Sequence, residues 1–256
     1  MRALRLVLAM ALALLPLRAA GEEVVAGLSQ TRVSITTWFA GSEIFIYGAV
    51  KRAAPPPEGP PLDVVVAVMG PLTPVTVRRK SRELGVWVNG PGLHIDAAPS
   101  FYAVATTRPF RDVLSWTDDL RHRVGLDQVI RLIDAPLWSE GSRDDYLDAV
   151  VRLRRAQGAY YEHIGGVTVR EETLFETRIE LPAQLVEGDY TARIFLTRGG
   201  AVIDHFETSI AVRKVGIEYW VDTMAREQSA IYGTLSIVVA LIAGWAASAA
   251  FRVIFP

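Results

Sequence analysis

The chain has 256 residues and a formal net charge of −1, half of its residues are apolar, and it contains no Cys. That length holds one large domain or two small ones, either able to bury a core. The charge balance leaves no global field for nucleic acid or anionic lipid. Without Cys, disulfides, Cys-based zinc sites, iron–sulfur clusters and thiol nucleophiles are excluded.

The first residues, "MRALRLVLAMALALLPLRAAGEE", have the three-part layout of a secretory signal. Arg2 and Arg5 form a basic region, Leu6 to Leu15 an apolar one, and Pro16 breaks it before Ala19, Ala20 and Gly21. The expectation is a signal peptide over residues 1–21, cut after Ala20 or Gly21, with an uncleaved anchor as the alternative.

Period-two patterning follows. "RVSITTWF" and "SEIFIYGAV" alternate as strands, "RAAPPPEGPP" links to the next strand at Val64 to Val68, and "PVTVRRK", "LGVWVNG" and "FYAVATT" give three more. Leu120, Val124, Ile130 and Ile133 suit a helix that Gly125 is placed to interrupt. Ser142 with Asp145 resembles a capping box ahead of Tyr146, Leu147, Val150 and Val151. The helical stretch is expected over about 118–156, and strands resume at "TLFETRIELP".

Tyr190, Ala192, Ile194 and Leu196 then alternate, Gly199-Gly200 makes a turn, and Val202, Phe206, Ile210 and Val212 answer on the partner strand. The run Leu185, Gly188, Tyr190 matches the corner that opens the penultimate strand of an immunoglobulin-like sandwich. The fold class expected is mainly β: an Ig-like β-sandwich over residues 22–214 with a helical insertion, two small β domains being the alternative.

Residues 215–228, "VGIEYWVDTMAREQ", read as a short amphipathic juxtamembrane helix. From Ser229 to Phe251 no residue is charged, which predicts a transmembrane helix over 229–251 with Tyr232 and Arg252 near its ends. Following an export signal, that span would stop transfer and leave 252–256 in the cytoplasm. Ser236, Ala240, Gly244 and Ser248 recur every four residues, a spacing that lets two helices approach closely; an Ala-rich helix also yields such a stripe by chance.

Several segments in order, among them "GLSQTRVSITTWFAGSEIFIYGAV", "VTVRRKSRELGVWVN", "TLFETRIELPAQLVEGDYTARIFL", "VRKVGIEYW" and "IYGTLSIVVALIAGW", resemble an uncharacterised family of alphaproteobacterial transmembrane proteins. The likeness runs from about Val24 to the end. It implies a signal peptide, a periplasmic region, one C-terminal span in the inner membrane and no established activity. It also implies a gene often encoded near exporters of the sulfite or sulfonate permease type, an association and not chemistry.

The sharpest charged feature is Arg78, Arg79, Lys80 and Arg82, with Trp87 and Asn89 nearby. On an extended strand Arg78, Lys80 and Arg82 share a face and could converge on an anion such as sulfite, a sulfonate or a phosphate headgroup. The plainer reading is a solvated edge strand whose charges deter sheet-to-sheet pairing. Asn89-Gly90 reads as a turn.

His94, His122, His163 and His205 show no ligand spacing, and only Met69 and Met224 lie outside the signal region, so no metal or other cofactor is expected. Asp118-Asp119 and Asp144-Asp145 fall at helix starts, where carboxylates offset exposed N–H groups. No nucleophile elbow, Walker loop, Rossmann fingerprint or zinc-protease signature occurs, and no catalytic residue is assigned. The partners expected are the bilayer, with an integral membrane permease or a second copy at the helix, and no nucleic acid. A solute-sensing domain is the second reading and an envelope hydrolase the third.

Overall fold

The computed structural model describes residues 21–130 and 143–254. The signal segment lies outside the described residues, as do Ile133, Ser142 and the end of the tail.

Among the described residues, twelve strands build the domain. A four-stranded antiparallel sheet runs in the order β1 (Glu23–Leu28), β3 (Ser42–Lys51), β10 (Leu174–Leu181), β9 (Val167–Arg170). A six-stranded sheet faces it in the order β2 (Arg32–Ile35), β12 (Ala201–Lys214), β11 (Gly188–Arg198), β4 (Leu62–Met69), β7 (Tyr102–Thr106), β8 (Tyr160–Ile164). Within it β2 lies parallel to β12 and β8 parallel to β7. The chain thus starts on one sheet as β1 and crosses to the other as β2. The remaining pair, β5 (Leu72–Glu83) and β6 (Val86–Pro99), forms a separate two-stranded ribbon.

Sequence pattern and layering agree. In β10, "LFETRIEL", buried and outward residues alternate, because only one face meets the opposite sheet. In β4, "LDVVVAVM", nearly every residue is buried, because the six-stranded sheet is covered on both faces. Ile44, Ile46, Ile179, Val66 and Ile194 fill the space between the sheets. Val65, Ala67, Tyr102, Val104 and Phe195 point to the other side. There they meet a second layer made by the ribbon base (Val77, Leu93, Ile95) and the helices α1 (Phe110–Val113), α2 (Trp116–His122), α3 (Leu126–Val129) and α4 (Arg143–Ala156).

The helical stretch therefore begins before residue 118 and is broken as its composition indicated. Arg123 ends α2 in a left-handed conformation and Gly125 caps α3. Leu120 faces outward, while Val124 and Ile130 are buried.

Three hairpin turns carry positive φ at both central residues, the geometry that matches strand twist; one is Glu171-Glu172 between β9 and β10 (φ 51° and 47°). At Gly199-Gly200 glycine supplies it without strain (φ 58° and 82°). Tyr190 closes the preceding corner by donating its hydroxyl to the Val186 carbonyl at 2.9 Å. The third turn, at the ribbon tip, is Leu84-Gly85. Pro74, Pro91 and Pro99 sit within β5 and β6. A ribbon with two open edges tolerates residues that cannot donate to a ladder.

Past β12, the helix α5 (Ile217–Glu227) is separated by Gln228 from α6 (Ser229–Ile254). The 26 residues of α6, at ~1.5 Å each, exceed the ~30 Å hydrocarbon core of a bilayer. The helix continues through Arg252 to Ile254.

Candidate functional site

The ribbon and α4 enclose an open cleft of about 520 Å³. Arg78, Arg79 and Lys80 form its β5 wall, Asp145, Asp148 and Arg152 its α4 wall, and Val77 and Tyr146 its base. Along β5 Val77 is the last buried residue, and Arg78, Arg79, Lys80 and Arg82 are all exposed beyond it. Of the three expected to converge, Arg78 and Lys80 reach the cleft. Arg82 lies nearer the tip, with its Nε donating to the Gly85 carbonyl at 3.4 Å. Arg79 joins the cleft instead. The opposite wall carries carboxylates, so an anion here would face Asp145 and Asp148 as well as the cations. Asn89 is not in a turn: it pairs with Lys80 within β6.

Beyond the cleft the ribbon ends in an apolar tip. Leu84 is fully exposed, and Val86 and Trp87 are 65% and 66% exposed. Sequence reading singled out the cations but missed this tip, because "LG" carries none of the Asn-Gly chemistry that marks such a turn.

On α6, Ser236, Ala240, Gly244 and Ser248 lie within the apolar span, all of them exposed. Ser236 Oγ donates to the Tyr232 carbonyl at 2.8 Å and Thr234 Oγ1 to Ala230 at 2.9 Å, so both hydroxyls are satisfied within the helix. Nothing lies within 4 Å of a Cβ built on Gly244. The stripe offers close backbone approach rather than free hydrogen-bonding groups.

Folding brings two of the four histidines together. His122 at the end of α2 and His205 on β12 lie with ring centroids 5.8 Å apart, and His122 packs edge-on against Phe195 at 5.5 Å. Burial, then the neighbouring His205, pushes the His122 pKa down. Among the described residues no group of three or more His, Asp or Glu is placed to hold a metal ion.

The paired aspartates are engaged by the fold. Asp119, 1% exposed, accepts from the backbone N–H of Gly125 at 2.6 Å and Val124 at 3.3 Å, and from Arg111 at 3.3 Å. Asp118 accepts from Val202 N at 3.2 Å and from Arg121 at 3.1 Å. Arg193 completes this region by donating to the carbonyls of His122 at 2.7 Å and Arg123 at 2.9 Å.

Two further charge clusters sit at the end of the sandwich away from β5. Asp63, 2% exposed, is held by Thr107 at 2.7 Å and bidentately by Arg108. Glu22 pairs with Arg52 at 3.1 Å and Arg198 at 3.0 Å, and Arg198 also reaches Glu172 at 3.4 Å. No periodicity announces these pairs, since their members are far apart in sequence. The first ties β4 to the segment after β7, and the second ties Glu22, ahead of β1, to β11 and to the residues flanking β3 and β10.

These features define a mainly β domain carried on one C-terminal apolar helix long enough to cross a bilayer. The chain belongs to the family described as "Putative transmembrane protein (Alph_Pro_TM)", which matches residues 23–253. It is thus a membrane-anchored protein associated with the lipid bilayer, with one candidate membrane-spanning helix among the described residues. A comparison with curated proteins finds no match. Among solved structures, Spo0M, a sporulation control protein from Bacillus subtilis, is similar at TM-score 0.30 and 9% identity over 81% of this chain. The match spans 55% of the Spo0M chain, so this chain covers about half of it. A likeness that weak carries no argument about function.

Proposed function

We propose that the protein is an extracytoplasmic interaction module held at the inner membrane, which assists a polytopic membrane protein such as an exporter of the sulfite or sulfonate type. In this reading residues 1–21 are a signal peptide, residues 22–214 form an Ig-like sandwich in the periplasm, and 252–256 lie in the cytoplasm. The split first strand and the Tyr190 corner support the Ig-like assignment. The module acts by binding and not by catalysis. One observation carries the reading: the apolar surface of α6 is uncovered over Ser229–Ser248, with Ile237, Leu241 and Trp245 more than 60% exposed. The Ser236–Ser248 stripe is one face on which a partner helix would pack. Trp220 and Val221 on α5 are also exposed, as suits a helix at the membrane–water interface.

The test is crosslinking and co-purification of the full-length protein beside a version in which α6 is replaced by a poly-leucine helix. Recovery of one permease with the native helix, lost on replacement, supports the reading. Equal recovery from both, or recovery of no membrane protein, refutes it. A second reading, an anion-sensing domain, rests on Arg78, Arg79 and Lys80 at the cleft. It requires that sulfite, methanesulfonate or phosphate bind the full-length protein and that Arg78→Ala with Lys80→Ala abolish binding.

A further inference from the structure

The ribbon tip presents apolar side chains where folding gains nothing from them. Leu84 is fully exposed, yet it holds a left-handed backbone (φ 50°) at the first central position of its turn. For a side chain of this type that conformation is strained, and Asn, Asp or Gly is the ordinary occupant. The same chain makes the equivalent turns with Gly199-Gly200 and with the polar pair Glu171-Glu172, so Leu84 differs in placing an exposed apolar side chain there. Strain carried without a gain in burial marks a side chain positioned for something outside the fold. Val86 and Trp87 extend the apolar surface, and Arg78, Arg79, Lys80 and Arg82 flank it on β5. Glu83 is the only acid on that strand. No ion pair joins these four cations to a carboxylate among the described residues. Although the whole chain is nearly neutral, the ribbon itself is basic, with Asp145 and Asp148 across the cleft from Arg78, Arg79 and Lys80 and Arg82 nearest the tip.

The ribbon springs from the end of the sandwich that leads to the membrane anchor. β4 ends at Met69, opposite Thr191 near the start of β11, and Gly188 at that start pairs with Val212 two residues before the end of β12. Pro71, which opens the ribbon, lies against Gly188: its Cγ would be 2.8 Å from a Cβ there. Beyond the last buried pair, Val77 with Leu93, the ribbon continues to Glu83, a reach of about 20 Å at ~3.3 Å per residue.

We infer that the tip of this ribbon docks on an anionic lipid surface, with Leu84, Val86 and Trp87 entering the headgroup boundary and the Arg/Lys cluster pairing with lipid phosphates. Exposed aromatic and aliphatic side chains ringed by cations are the combination that partitions to a charged interface. The anchor already holds the domain beside a bilayer, so docking is intramolecular and little affinity per contact is required. The ribbon then becomes a second point of attachment that sets how the sandwich stands over the membrane.

Because the chain has no Cys, Val86→Cys provides a single labelling site for an environment-sensitive dye that leaves Leu84 and Trp87 in place. The full-length labelled protein is placed in nanodiscs of phosphatidylcholine alone and in nanodiscs containing phosphatidylglycerol. The expected result is a blue-shifted dye, shielded from iodide, in the anionic discs, reversing in 0.5 M salt. Replacing Arg78, Arg79, Lys80 and Arg82 together by Gln, all on the surface, abolishes the shift, at about fivefold per cation. Leu84→Asn, which suits the turn, keeps the hairpin and weakens docking about tenfold. A dye that stays iodide-accessible in anionic discs overturns the inference. So does a shift that is equal in both lipids and indifferent to the charge substitutions. Shielding that appears without lipid as protein concentration rises also overturns it, and assigns the tip to a second copy pairing along the open ribbon edges.

Discussion

Tyr161→Phe removes one atom that joins the two sheets. Tyr161 is on β8, the edge of the six-stranded sheet, and its hydroxyl reaches Glu180 on β10 of the other sheet. It accepts from Glu180 N–H at 2.8 Å and donates to Glu180 C=O at 3.0 Å. β9 pairs with β10 only as far as Thr177, so beyond that point the phenol stands in for the missing strand. Two hydrogen bonds at ~0.5–1.5 kcal/mol each give a loss of about 2 kcal/mol, with the ring still packed near Phe101. For a domain of about 150–250 residues that lowers Tm by about 4–8 °C. Thermal unfolding followed by circular dichroism measures it, and hydrogen exchange should show lost protection at the Glu180 amide. Tyr190→Phe, which gives up one bond to Val186, should cost about half as much. A Tm within 1 °C of wild type for Tyr161→Phe, with Glu180 still protected, would refute the claim that this hydroxyl closes the sheet edge.

Gly48→Ala should destabilise by about 3 kcal/mol, because a Cβ there would lie 2.4 Å from the Phe175 ring and 2.5 Å from the Val25 carbonyl. Gly244→Ala, with open space around it, should leave the Tm of the domain unchanged and alter only helix association. The lowered His122 pKa means the folded protein binds fewer protons than the unfolded chain below pH ~6.5. Stability is therefore complete above that value and falls as the pH drops through the lowered pKa. His122→Gln should flatten that acid limb in unfolding measured from pH 5 to 8. Burial raises the Tyr160 pKa to about 12, and those of Tyr102 and Tyr161 further. Stability from these phenols is complete below pH ~10 and is lost as pH rises through the raised values. In an absorbance titration they should ionise only as the domain unfolds.

Sequence reading located β2, β3, β4, β7, β10, and β11 with β12 across Gly199-Gly200, each from alternation or a run of apolar residues. β1, β8 and β9 were not found. They run 6, 5 and 4 residues; β2 and β7 are as short, so length alone does not separate them, and β1, β8 and β9 are defined by what they pair with. "PVTVRRK" and "LGVWVNG" were visible as strands, but not as one long ribbon, because the prolines within it argue for loops unless both edges are known to be open. At the site, Arg78 and Lys80 were legible from charge and alternation. The α4 carboxylates that face them were not, since Asp145 and Asp148 are brought there by helix packing.

The sequence alone determined the mainly β class, the apolar C-terminal helix and the basic strand, because each rests on local composition and period. Only the tertiary structure decided that the ribbon stands apart from both sheets and exposes Leu84, Val86 and Trp87. An alternating strand has the same sequence signature whether its outer end is covered or not. Whether it is covered depends on which residues pack there, and the second core layer stops at Val77 and Leu93.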